Sequence, residues 1–190
     1  MKTPIIILLT LVCPLVAGAQ KVLTTCDEGS IKIEGTSTMH DWDMTTGSIT
    51  GTASFVLEGN VIKDIQALSV TVAAESLKSG KAAMDKNAYK ALKTDRHKDI
   101  TFTLTDVTRI EKSGTGYAVA VRGQLTIAGT TRPIQLVALC VPKSNGRIEC
   151  SGEQTIRMTD YNVEPPSFMF GSVKTGDELL VKFNVAFAGS

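Results

Sequence analysis

The chain has 190 residues, with 20 Lys and Arg against 19 Asp and Glu and a formal charge of +1. A balance this close to neutral, with no basic stripe, excludes nucleic-acid binding and electrostatic membrane docking as organising functions. The length fits one domain with a sizeable core.

Residues 1–19 read as a cleaved secretory leader. Met1-Lys2 supplies a positive charge, Ile5 to Val16 is an apolar run interrupted by Thr10, Cys13 and Pro14, and Ala17-Gly18-Ala19 has the form of a cleavage site. The run is too short to span a bilayer, and no second apolar span follows. The expected mature domain is 20–190, exported to a periplasmic or extracellular space, with no integral membrane span. Loss of Lys2 leaves 19 basic and 19 acidic residues.

In the mature part, Ser30–Ser37 alternates, with Ile31, Ile33 and Gly35 on one face and Lys32 and Glu34 on the other. Thr38 to Asp43 follows as a connection holding Trp42, the single tryptophan. Ser48–Leu57 resumes the period of two, Glu58-Gly59-Asn60 is a turn, and Leu68, Val70, Val72 and Ala74 carry the next strand. From Lys81 to Lys93 the period changes. Met84, Ala88, Ala91 and Leu92 recur at three and four residues, which predicts one amphipathic helix. Lys90, Lys93, Arg96, His97 and Lys98 make its end basic, suiting the negative end of the helix dipole.

Further strands follow around Ile100–Leu104 and Tyr117–Arg122. Arg122–Leu139 reads as a hairpin, with Ala128-Gly129-Thr130 between the arms and Gly129 able to take positive φ. Cys140 and Cys150 flank Val141 to Glu149. A two-residue turn at Asn145-Gly146 would put the two cysteines on opposite faces. A three-residue loop Ser144-Asn145-Gly146 puts them directly across and predicts a disulfide. The alternative is two separate thiols, one paired with Cys26. Residues 159–176 read as a long loop holding Phe168, Met169 and Phe170. The last strand places Leu179, Val181, Phe183, Val185 and Phe187 on one face. The expected fold is all-β: an eight-stranded antiparallel barrel with one inserted helix, closed on itself so that no edge is left.

Three stretches carry a resemblance: Gly35-Thr-Ser-Thr-Met-His-Asp-Trp42, Gly123-Gln-Leu-Thr-Ile-Ala-Gly-Thr-Thr-Arg-Pro-Ile134 and Lys174-Thr-Gly-Asp177. With Met84, Leu92-Lys93 and Ile100-Thr-Phe102 in order between them, the chain resembles the YceI-like family over essentially its whole mature length. The resemblance implies a lipocalin-like barrel whose lumen takes a long apolar chain, typically a polyisoprenoid such as a quinone tail.

The candidate lumen and mouth residues are Trp42, Phe55, Met84, Leu92, Phe102, Leu104, Leu136, Phe168, Phe170 and Phe183, with Lys90, Arg96 and His97 as headgroup contacts. Alternation alone does not separate a lined tunnel from a filled core. Two readings therefore stand: an exported carrier of a long-chain isoprenoid or other apolar ligand, and a structural or interaction barrel serving envelope stress or a partner, in either case as a monomer or homodimer. A third, a metal-dependent enzyme at His40 and Asp41, lacks a zinc-ligand spacing. No nucleophile elbow, phosphate loop or haem-attachment motif is present, so no enzyme, cofactor or resident metal is expected.

Overall fold

The computed structural model describes residues 19–25, 29–168 and 172–189. Among these, eleven strands and one helix follow in the order β1 (Ala19–Thr25), β2 (Ser30–Ser37), β3 (Trp42–Thr46), β4 (Ile49–Glu58), β5 (Val61–Ala73), α1 (Ala82–Leu92), β6 (Asp99–Ser113), β7 (Gly116–Ile127), β8 (Thr130–Pro142), β9 (Ile148–Arg157), β10 (Ser167–Phe168) and β11 (Val173–Ala188). Every pairing is antiparallel.

Eight strands close into a ring, in the order β1-β4-β5-β6-β7-β8-β9-β11 and back to β1. The barrel expected from the sequence is present, but its membership differs. The closing strand is β1, where Leu23 is fully buried and Thr24 and Thr25 pair with Ala188 and Phe187. Ser30–Ser37, expected in the ring, lies outside it on a seam. The sixteen residues of β11 meet β2 over Thr175–Asn184 before reaching β1, and β2 carries β3 on its other edge. Trp42–Thr46, expected as a connection, is thus a strand, and β11 starts at Val173 rather than near Leu179.

The central hairpin is tighter than expected. Ile127 pairs with Thr130, leaving the two-residue turn Ala128-Gly129, both at positive φ (49° and 77°). This is the turn whose twist suits paired strands, and it forces an alanine into a conformation that alanine resists. The cysteine hairpin has the expected three-residue loop. Lys143 N–H donates to the Arg147 carbonyl, Gly146 takes φ 79°, and Cys140 and Cys150 are in register and bonded, with Cα atoms 4.1 Å apart. Cys26 lies outside the described residues.

The core sits at the barrel end away from the helix. Leu23, Phe55, Ile148, Val119 and Phe187 are each no more than 2% exposed, and the Phe55 and Phe187 rings meet edge to face at 5.9 Å. Each such side chain contributes about 1.5–3 kcal/mol relative to exposure. That end is filled.

Candidate functional site: an apolar lumen under a helix

The helix end of the barrel is different. Helix α1 forms where the sequence puts it, with Lys93 closing it in the left-handed region and its N–H returning to the Lys90 carbonyl. Polar contacts hold it at the rim. The Tyr89 hydroxyl sits 2.8 Å from the Leu77 carbonyl and 2.6 Å from the Lys78 ammonium, which is raised above the usual lysine range by that contact. The Asp85 carboxylate accepts from the Ser79 hydroxyl and N–H at 2.6 and 2.8 Å, which holds its carboxyl below the usual range. Past the helix, the Thr94 hydroxyl donates to Glu75 at 2.7 Å.

No residue of α1 is buried. An amphipathic helix normally gains most of its stability by packing its apolar stripe. Here that stripe packs only in part, through Ala91 and Leu92 on the small cluster of Ile127, Met158 and Tyr161, and Met84, Ala88, Ala91 and Leu92 line a cavity of about 380 Å³. Its other walls include Ile33, Trp42 and Met44 from the seam, Ile100 and Ile127 from the ring, and Tyr161 and Val163 from the turn after β9. A second cavity of about 170 Å³ lies deeper in the barrel, walled by Phe55, Phe102, Leu136 and Phe183 among others. Ile156 lines both. Gln154 is the single amide in the deeper wall.

Of the residues expected to line the lumen, Trp42, Met84 and Leu92 surround the larger cavity, and Phe55, Phe102, Leu136 and Phe183 the smaller. Leu104 packs against the core and lines neither. The Phe168 backbone pairs with Val173, and Phe170 lies outside the described residues. Lys90, Arg96 and His97 line neither cavity; the His97 ring covers Gly129, and Arg96 pairs loosely with Asp95 at 3.7 Å. The polar side chains at the larger cavity are instead Ser37, His40, Lys81, Asn87 and Thr175. Reading the sequence missed Lys81 and Asn87 because the helical period does not say which way α1 faces. The Tyr89 and Asp85 contacts to Leu77–Ser79 set that, with Lys81 just before the first turn.

Inward glycines make room for rings. Gly35 lies under Trp42, Gly123 under Phe102 and Gly152 under Phe183, so each aromatic lies flat along the wall instead of crossing the lumen. The turn closing the lumen's side is tied by Asp177, whose carboxylate accepts from the Thr159 hydroxyl at 2.7 Å and N–H at 2.9 Å. The Thr159 hydroxyl is the main reason the Asp177 carboxyl titrates below its usual range. Among the described residues, no group of three or more His, Cys, Asp or Glu could hold a metal ion, and no helix is long and apolar enough to cross a membrane.

A closed antiparallel barrel with an apolar lumen beneath a rim helix defines a lipocalin-like architecture. The chain belongs to the YceI-like domain family, whose model matches residues 24–187. Among solved structures it is similar to BcnA of Burkholderia cenocepacia, with 14% identity, TM-score 0.66, and coverage of 84% of this chain and 96% of that one. It is also similar to a polyisoprenoid binding domain from Saccharophagus degradans implicated in plant cell wall breakdown, with 12% identity, TM-score 0.67, and coverage of 89% and 98%. The YceI protein of Campylobacter jejuni matches at 20% identity and TM-score 0.55, covering 73% of this chain and 80% of that one. At these identities the likeness concerns the fold. No relative matches among curated protein sequences.

Proposed function

We propose that this protein is an exported carrier that sequesters a long-chain isoprenoid, such as a quinone tail, in the barrel lumen. The observation that carries the reading is α1, which presents an apolar stripe to about 380 Å³ of apolar space while burying none of its residues. Such a volume falls in the range of small-molecule sites, and apolar walls favour a hydrocarbon over water. Each methylene-sized group moved from water to such walls contributes about 0.8 kcal/mol, less the entropy of ordering the tail. The smaller cavity shares the Ile156 wall with the larger one and offers further apolar space suited to a narrow, branched chain.

The polar fringe of Ser37, His40, Lys81, Asn87 and Thr175 holds no carboxylate. Although the Ser37 hydroxyl is spent on the His40 carbonyl, Lys81 and Asn87 supply donors that suit a headgroup bearing carbonyl or phosphate oxygens. The family membership and the polyisoprenoid-binding neighbour agree with this class of ligand. Export follows from the leader expected in residues 1–19. Cleavage after Ala19 leaves Gln20, whose side-chain amide donates to the Ser54 hydroxyl at 2.9 Å, so the ring-closing strand survives processing. No chemistry is assigned to the protein itself.

Trp42 lines the larger cavity and is the single tryptophan, so it reports directly on loading. Titration of the mature protein with menaquinone carrying a short isoprenoid tail is expected to quench Trp42 emission saturably. Quenching no stronger than that of free tryptophan would refute the reading.

A further inference from the structure

The wall of the lumen is not continuous. Strand β8 pairs with β7 along eleven positions and β9 pairs with β11 along ten, yet β8 and β9 pair with each other only at Leu139–Pro142 and Ile148–Ser151. Above Leu139 and Ser151 the two strands carry no mutual ladder. Gly152 still lies against the Val137 carbonyl, so the split opens above it, and the five residues Glu153–Arg157 on the β9 side give it a length of about 17 Å.

Both limits of the split are fixed. The Cys140–Cys150 disulfide sits one residue below the last paired position, at the vertex where the strands part. At the other end the turn Thr159–Tyr161 spans the gap: Arg132 Nε donates to the Asp160 carbonyl at 2.9 Å, and the Asn162 amide donates to the Thr130 hydroxyl at 3.1 Å. Between these limits the inward residues Ile134, Leu136, Ala138, Gln154 and Ile156 all line the deeper cavity.

A second divergence shows that a missing ladder is not by itself an opening. β5 and β6 pair only over Ser69–Ala73 and Asp99–Thr103, but there Ile62 is buried at 2% exposure and Ile65, itself a wall of the deeper cavity, at 5%. Along the β8–β9 split no residue from Thr130 to Leu139 or from Ser151 to Arg157 is buried. On its outer face β8 also exposes two apolar side chains, Val137 and Leu139, at 53% and 40%.

We propose that the split between β8 and β9 is a lateral portal through which an apolar chain enters and leaves the lumen. The inference rests on the carrier reading. One barrel end is closed by the Phe55–Phe187 core at the floor of the deeper cavity and the other is covered by α1, so end-on loading must thread a long tail past packed or tethered elements. Side-on loading needs only that side chains part, because no ladder crosses this gap, and of the two divergences in the ring this is the one whose flanking segments bury no side chain. The disulfide keeps the opening from running down into the core end, and the Arg132–Asp160 and Asn162–Thr130 contacts act as the latch.

The test is to pin the split from outside. Gln135 and Thr155 are exposed and line neither cavity. In a Cys26→Ser background, Gln135→Cys with Thr155→Cys is prepared with and without a short bismaleimide bridge, leaving the native disulfide oxidised. Loading and release of short-tailed menaquinone are followed by stopped-flow quenching of Trp42. The bridged form is expected to load and release roughly tenfold or more slowly, with an unchanged equilibrium constant. Equal rates with and without the bridge would overturn the portal and direct attention to a path beneath α1, while leaving the carrier intact. Failure of both forms to bind at equilibrium would remove the carrier and the portal together.

Discussion

Trp42 and Gly35 face each other across β3 and β2, and the indole occupies the space a side chain at position 35 would need. A Cβ there would stand 2.6 Å from indole Cε2, while the indole N–H donates to the neighbouring Thr36 carbonyl at 3.0 Å. The wall of the larger cavity at the seam is therefore set by the absence of a side chain as much as by the ring. Gly35→Ala is expected to push the indole off the strand and break its hydrogen bond. The cost should be about 1–2 kcal/mol, read from urea unfolding, with a shifted Trp42 emission maximum. An unchanged spectrum would show that the ring does not depend on Gly35.

The volume under α1 is tested by filling it. Ala88 points its methyl into the larger cavity, so Ala88→Phe puts an aromatic ring where a ligand tail would lie. Menaquinone binding should weaken at least several-fold, while the ligand-free protein should hold its stability or gain about 1 kcal/mol in thermal unfolding. Undiminished binding would place the chain elsewhere.

The disulfide closes a loop with a sequence separation of 10. By chain entropy alone, a loop of that size is worth about 2.5 kcal/mol. Cys140→Ala with Cys150→Ala should lower the unfolding free energy by roughly that amount, with an added cavity cost because both residues are buried. The variant should still fold, since the Ser144-Asn145-Gly146 loop and the Leu139–Ser151 register hold the hairpin without the bond. Circular dichroism with denaturant titration checks both expectations.

Asp177 gives a pH dependence with a definite sign. Its carboxylate is held below the usual range chiefly by the Thr159 hydroxyl, so it contributes stability that is fully present above the unfolded carboxyl value near 4. That contribution is lost as pH falls through the lower folded value. Asp177→Asn should cost about 1 kcal/mol at neutral pH. The gap between wild-type and variant midpoints should narrow below about pH 4. A gap constant with pH would mean that the charge plays no part.

Much of the fold was legible where local chemistry dominates. The helix followed from its period. The cysteine register followed from counting which loop places both sulfurs on one face. The final strand followed from five alternating apolar residues. Ring closure was less legible. Ala19–Thr25 directly follows an apolar leader and contributes one fully buried side chain, Leu23, so its alternation carries little signal. Trp42–Thr46 has Asp43 and two threonines, and its ladder is with β2 alone, outside the ring, beside a single bridge from Thr45 to Lys78. The lumen could not be read at all from period two, because on one strand Phe102 lines a cavity while Leu104, two residues on and in the same alternation, lines neither. What marks the lumen is the glycine beneath the Phe102 ring and the helix whose apolar face is only partly packed.

The most direct test of the central claim is gentle native mass spectrometry of the mature protein purified from its export compartment, with organic extraction of whatever it holds. The account predicts a discrete added mass that extracts as a polyprenyl or quinone species and is lost or reduced in Ala88→Phe. A bare chain mass, unchanged after incubation with quinones and polyprenols, would contradict it and leave a barrel whose cavities serve no cargo.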